Sequence, residues 1–262
     1  MEAFDRVVDV MNRLRSPGGC PWDREQTHAS LRRYVIEEAY EVADAIDRRD
    51  ASALCEELGD LLLQVVFHAR LAEETGDFDT ATLCERLADK LIRRHPHVFA
   101  TDRADTAAEV EVAWEARKRR ERGTGASLLD GVPRTLPALL RAWRLGDRAA
   151  TVGFDWPDAQ SVLDKLDEER NEFGAALAVQ DPERTKAEFG DLLLTLVSLG
   201  RKLAIDPEAA LREATERFDD RFRNMETQAR NQGIALEALD PAGLDALWTA
   251  AKASLESGPI DQ

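Results

Sequence analysis

Along this chain apolar residues recur at intervals of three and four, the spacing that keeps them on one side of an α-helix. The pattern predicts helices over 2–14, 29–48, 51–75, 79–94, 106–121, 136–148, 158–179, 183–203, 207–231 and 241–256. No run alternates apolar and β-branched residues as a half-buried strand would, so the expected fold class is all-α. Turn signals part the segments: "SPGG" (16–19), "TGD" (75–77), "HPH" (95–97) and "GFDWPD" (153–158). The stretch "GTGASLLDGVPRTLP" (123–137) joins three Gly to two Pro between helical patterns. The expected organisation is a helical domain over 1–122, a linker over 123–135 and a second helical domain over 136–262.

A shift of 131 residues lays the second half on the first. It places Glu37, Glu38 and Glu41 on Glu168, Glu169 and Glu172, and Glu57, Gly59 and Asp60 on Glu188, Gly190 and Asp191. "ELGDLLLQVVFHAR" meets "EFGDLLLTLVSLGR" without a gap, and Arg86, Asp89 and Lys90 meet Arg217, Asp220 and Arg221. With three residues more, "WEARK" (114–118) meets "WTAAK" (248–252), and Trp22 meets Trp156. The expected architecture is one helical unit used twice.

In "YVIEEAYEVADAI" (34–46) the acids gather on one arc: Glu38 and Glu41 lie about 100° and 40° from Glu37, and Asp44 about 20° to its other side. An amphipathic helix with a solvated acidic face accounts for this segment alone. The next helix does not fit so simple a reading. In "CEELGDLLLQVVFHARL" (55–71) Leu, Val and Phe stand at nearly every angle, which predicts burial on most sides, yet Glu57, Asp60, Gln64 and His68 share a stripe about 80° wide. Buried carboxylates without partners are costly, and the face this stripe is expected to meet is itself acidic. Two facing acidic stripes call for divalent cations. Gly59 and Gly190, unfavourable in a helix by about 1 kcal/mol relative to Ala, read as points of close approach by a helix or a ligand.

Carboxylate-only ligands suit a hard ion, Mg²⁺ or Mn²⁺, better than zinc or copper. A di-iron carboxylate bundle would need a Glu-x-x-His on each of two helices. The match "EQTH" (25–28) precedes the first acidic helix and has no counterpart in the second half. Arg217 and Arg221 stand one helical turn apart, as do Arg86 and Lys90, a spacing that suits either phosphate oxygens or ordinary helix ion pairs. Trp248 with Lys252 suits a base and a phosphate, or core packing beside a solvated lysine. "RRHPHVF" (93–99) reads as a packed turn rather than a His-x-His ligand pair.

Of the 262 residues, 44% are hydrophobic and 33% charged, enough for a sizeable core. The formal net charge of -16 argues against extended nucleic-acid contact, although metal ions can bring a polyanionic small molecule to an acidic site. No apolar run reaches the roughly 20 residues of a membrane span. The amphipathic N-terminus does not read as a signal peptide, and Cys20, Cys55 and Cys84 form no Cys-x-x-Cys, so a reduced cytoplasmic protein is expected. There is no Gly-rich phosphate loop.

The motifs "GCPWDREQTH", "EEAYEV", "ELGDLLLQVVF", "RRHPHVF" and "VGFDW" resemble, over essentially the whole chain, the MazG family of nucleoside triphosphate pyrophosphohydrolases in its tandem form. The resemblance implies an all-α fold related to the dimeric all-α dUTPases, a homodimer, and Mg²⁺-dependent cleavage of nucleoside triphosphates to monophosphate and pyrophosphate. It implies that Glu168, Glu169, Glu172, Glu188 and Asp191 are the catalytic and metal-binding acids, matched in the first copy by Glu37, Glu38, Glu41, Glu57 and Asp60. It implies nucleotide contacts at Lys165, Glu168, Arg217, Arg221, Trp248 and Lys252. Lys165 stands where the first copy has Tyr34, and Leu199 where it has His68, which favours the second copy as the main catalytic site. The competing expectation is a helical interaction protein that senses nucleotide or metal without turnover.

Overall fold

The computed structural model describes residues 2–101, 103–104, 106, 109–110, 113–114, 117, 125 and 127–256. Among these residues every regular element is helical. The helix expected over 106–121, the "WEARK" stretch within it and the start of the linker lie largely outside the described residues. The chain divides into two compact units, Met1–Arg117 and Lys118–Gln262.

The first unit holds α1 (Glu2–Arg15), α2 (Pro21–Glu25), α3 (His28–Asp47), α4 (Ala51–Thr75), α5 (Thr80–Arg94) and α6 (Pro96–Phe99). The short helix α2 falls in the stretch after "SPGG" for which the sequence pattern predicts no element, and α6 begins within the "HPH" turn signal; each opens on a proline, whose fixed φ suits a first helical position. α3 and α4 form a hairpin, with α1 and α5 packed against α4. Met11, Leu31, Val66, Phe67 and Leu71 make the core, flanked by Phe4, Val8 and Tyr34.

The second unit holds α7 (Ala138–Ala150), α8 (Ala159–Ala178), α9 (Pro182–Leu203), α10 (Pro207–Asn231), a 3₁₀ turn (Leu236–Ala238) and α11 (Pro241–Glu256). Its packing runs in two pairs, α8 with α9 and α10 with α11, and α7 touches both α9 and α10. Met225, Ala229, Leu247 and Ala251 form a core cluster between α10 and α11.

The two acid-bearing hairpins are punctuated alike. Thr27 caps α3 in a capping box with Ser30, and Asp158 caps α8 by accepting from the Ser161 amide. At the hairpin turns Arg49 (φ 56°) and Gln180 (φ 53°) take left-handed backbone. Asp50 then caps α4 and Asp181 caps α9, so each turn is closed by a side-chain carboxylate on free amides.

One expectation fails, and half of another. α4 is not buried on most sides: Leu58, Leu62, Leu63 and Val65 are each more than a third exposed, because its neighbours cover only part of its circumference. Phe189, Leu193, Leu194 and Leu196 on α9 are likewise exposed. Of the two approaches expected at Gly59 and Gly190, that of a helix is absent among the described residues, since a Cβ at either would meet nothing within 4 Å; that space leaves room for a ligand.

Candidate active site

The 3.6-residue repeat of α3 and α4 aims their acidic stripes at one another across the hairpin. Carboxylate oxygens of Glu38, Glu41 and Glu57 come within 4.8 Å of one another. Burial, then the charges of Asp60 and Glu41, push the Glu38 carboxyl above its usual range. Burial, then Glu41 and Asp60, do the same to Glu57. Glu37 and Asp60 lie outside the closest trio, although both add to the negative field at Glu38. One turn beyond Asp60, Gln64 is buried and donates from Nε2 to Glu38 Oε1 at 3.5 Å, while its own Oε1 has no protein partner. A further turn on, His68 Nδ1 meets His28 Nδ1 at 2.7 Å, with ring centroids 5.0 Å apart and planes 9° from parallel. Burial and then His28 hold the His68 imidazole below its usual value. Tyr34 sits under the Arg33 guanidinium, which also donates to its hydroxyl at 2.6 Å.

The second unit repeats the trio with different company. Oxygens of Glu169, Glu172 and Glu188 come within 4.8 Å of one another. Glu169 is 6% exposed. Its Oε1 accepts from Lys165 Nζ at 2.9 Å, and its Oε2 is buried without a partner. The same ammonium lies 2.8 Å from Glu168 Oε1. The hydrogen bonds that the Lys165 ammonium donates to Glu168 and then to Glu169 raise its pKa. Arg184 Nε reaches Glu188 Oε1 at 3.3 Å. Glu168 and Asp191 stand outside the trio; both are exposed.

Each trio can hold a hard divalent cation. The donors are all carboxylate oxygens, and Glu169 Oε2, buried with no protein partner, is left able to bind a cation; Gln64 Oε1, beside the other trio, is likewise buried with no protein partner.

The expected nucleotide contacts fall on two helix pairs. Lys165 and Glu168 stand on α8, beside the acids. Arg217 and Arg221 stand on α10, where Arg217 lies 3.6 Å from Glu213 in an exposed pair. Trp248 and Lys252 stand on α11. Trp248 is half-buried against the core, with its ring 5.3 Å from that of Phe218, so packing is one of its jobs. Three contacts were not anticipated. The Arg184–Glu188 pair was readable as an i,i+4 spacing. The His28–His68 contact joins residues forty apart, and the Phe218–Trp248 contact joins α10 to α11; no local pattern announces either.

A family model described as the MazG nucleotide pyrophosphohydrolase domain matches residues 26–99, which contain the whole α3–α4 hairpin. The chain is 46% identical over 257 residues to the nucleoside triphosphate pyrophosphohydrolase of Escherichia coli (strain K12), covering 96% of this chain and 98% of that one. It is 45% identical over 255 residues to the nucleoside triphosphate pyrophosphohydrolase/pyrophosphatase MazG of Thermotoga maritima, covering 97% of each. A 42% match over 251 residues to the uncharacterized protein YabN of Bacillus subtilis takes in 95% of this chain and 51% of that one. With nearly half its residues shared over nearly its whole length, the chain belongs to the MazG family of nucleoside triphosphate pyrophosphohydrolases.

Proposed function

We propose that this protein hydrolyses nucleoside triphosphates between the α- and β-phosphates to nucleoside monophosphate and pyrophosphate. Mg²⁺ is the metal in this reading, Mn²⁺ can replace it, and the α8–α9 hairpin is the main catalytic site. The observation that carries it is the Glu169–Glu172–Glu188 trio, with a buried, unpartnered Glu169 oxygen and the Lys165 ammonium beside it. An acidic trio attracts a phosphate chain only through cations, and here both a metal-ligand set and a fixed cation stand together.

When bound, the metal neutralises phosphate charge and lowers the pKa of a coordinated water. The rest falls to side chains. Glu169, Glu172 and Glu188, with Asp191 one turn on, supply the oxygens that fix the cation's position. Glu168 lies outside the trio and is exposed, and once Lys165 turns from it to a phosphate it can orient the attacking water and take its proton. The water oxygen bonds to the α-phosphorus as the bond to the bridging oxygen breaks, and pyrophosphate leaves with that electron pair. Lys165, Arg217 and Arg221 offset its growing charge. Trp248 and Lys252 hold the base and a phosphate.

The same reading makes the protein a homodimer. α4 leaves Leu58, Leu62, Leu63 and Val65 exposed and α9 leaves Phe189, Leu193, Leu194 and Leu196 exposed, apolar side chains that a second copy would remove from water. Free Cys20, Cys55 and Cys84 suit a reducing cytoplasm.

Turnover of ATP with Mg²⁺ in ¹⁸O-labelled water tests the chemistry. The expected products are AMP carrying the label and unlabelled pyrophosphate. ADP with labelled orthophosphate would place the attack on the γ-phosphorus and overturn the assignment.

A further inference from the structure

We propose that Lys165 is an internal counter-ion of the metal-free site, drawn off by the substrate's phosphates, so that metal and nucleotide bind the second unit cooperatively. The proposal rests on the functional reading above and concerns how that site is filled.

Glu169 is the most buried acid of its trio, and an ionised carboxylate in that position needs a positive partner. Lys165 Nζ is that partner, 2.9 Å from Oε1, and it anchors a second time on Glu168 at 2.8 Å. A divalent ion taken up by Glu169, Glu172 and Glu188 would settle against the other oxygen of the same carboxylate. The two cations would then repel across a single carboxylate in a partly dehydrated pocket. Metal alone therefore binds against an ammonium already in place.

A lysine can yield where an arginine clamp would not. Its charge sits at the end of a flexible four-carbon stem, and it needs only a new anion within reach. A phosphate chain arriving on the metal is such an anion. When the ammonium swings from the Glu168–Glu169 pair to a phosphate oxygen, the metal gains the full charge of Glu169 and the nucleotide gains a cation. Each ligand then raises the affinity of the other by one factor, as linkage requires.

The first unit lacks the device. At the position matching Lys165 it has Tyr34, whose hydroxyl is engaged by Arg33. Its trio keeps mutual repulsion instead, with Glu38 and Glu57 held above their usual range by burial and neighbouring carboxylates. Among the described residues no ammonium pairs with that trio, which takes metal without waiting for nucleotide.

The test measures free Mn²⁺ by electron paramagnetic resonance on the full chain carrying Glu38→Gln and Glu41→Gln, so that the second unit is read alone. In the absence of nucleotide, Lys165→Met should bind Mn²⁺ on the order of tenfold more tightly than the Lys165 parent. Lys186→Met, which removes the same charge from α9, should stay within about twofold, separating local displacement from net charge. At saturating α,β-methylene ATP and controlled free Mn²⁺, the parent should gain metal affinity and Lys165→Met should gain almost none. Equal or weaker Mn²⁺ binding by Lys165→Met without nucleotide overturns the counter-ion role. If the parent binds no analogue at all, the functional reading falls, while the nucleotide-free comparison still decides what Lys165 does.

Discussion

Glu38 shows most plainly what burial in an acidic cluster costs a single residue. Its carboxyl is pushed above the ordinary value near 4.5 by burial first, then by Asp60 and Glu41. A carboxyl with a raised folded-state pKa supports folding below its unfolded value and loses that support as pH rises through the folded value. At neutral pH, without metal, it therefore works against the first unit. Glu38→Gln is expected to raise the metal-free melting temperature at pH 7 and to shrink the rise that Mg²⁺ gives the parent. Calorimetry with and without Mg²⁺ checks both, and an unchanged Mg²⁺ response would remove Glu38 from the ligand set. The amide keeps the shape and discards the charge, so the two effects share one cause.

At the scale of the helix, α3 and α8 share their acids and differ in what their hairpins carry beyond them. His28 and His68 meet in the first hairpin, at positions where the shift of 131 residues puts Ala159 and Leu199 in the second. Burial and His28 hold the His68 imidazole below 6.5. A histidine with a depressed folded pKa contributes stability that is whole above its unfolded value and is lost as pH falls through the folded one. Unfolding scans at pH 7.5 and 5.5 should show the first unit losing stability over that interval, and His68→Leu should lose less. A variant that tracks the parent at both pH values would mean that other groups carry the acid sensitivity. The helices themselves were legible because the hydrophobic period and the capping residues agree, as at Thr27, Asp50 and Asp181. The acidic trios were legible too, since i,i+3 and i,i+4 spacings fix which carboxylates share a face. Coverage was not: the Leu and Val around α4 say that a surface should be buried, and nothing local says what buries it. Lys165 was legible as a cation on the acidic arc; its hold on two glutamates at once is a matter of side-chain geometry.

Taken whole, the described residues hold two carboxylate trios, with one functional reading to share between them. The family model's match falls on the first hairpin, while the ammonium suited to a phosphate chain stands on the second. Asp191→Asn is expected to lower turnover of one nucleoside triphosphate by more than about tenfold, a change of roughly 1.4 kcal/mol in the barrier, with the helical circular dichroism retained. Asp60→Asn should cost about threefold or less. The opposite ranking would move the main site to the first hairpin, and equal losses would mean that both trios turn over substrate. The closeness of each trio in sequence has a further result. Glu38 and Glu57 stand nineteen residues apart, as do Glu169 and Glu188, across one tight turn. Closing so short a loop costs little entropy, and such hairpins form early when a chain folds. The first trio is complete once residue 57 has been synthesised and its hairpin has closed, before any of the second unit exists. An ion present at that moment would fasten the nascent hairpin ahead of its core, so refolding of the first unit should quicken with divalent metal rather than wait for it.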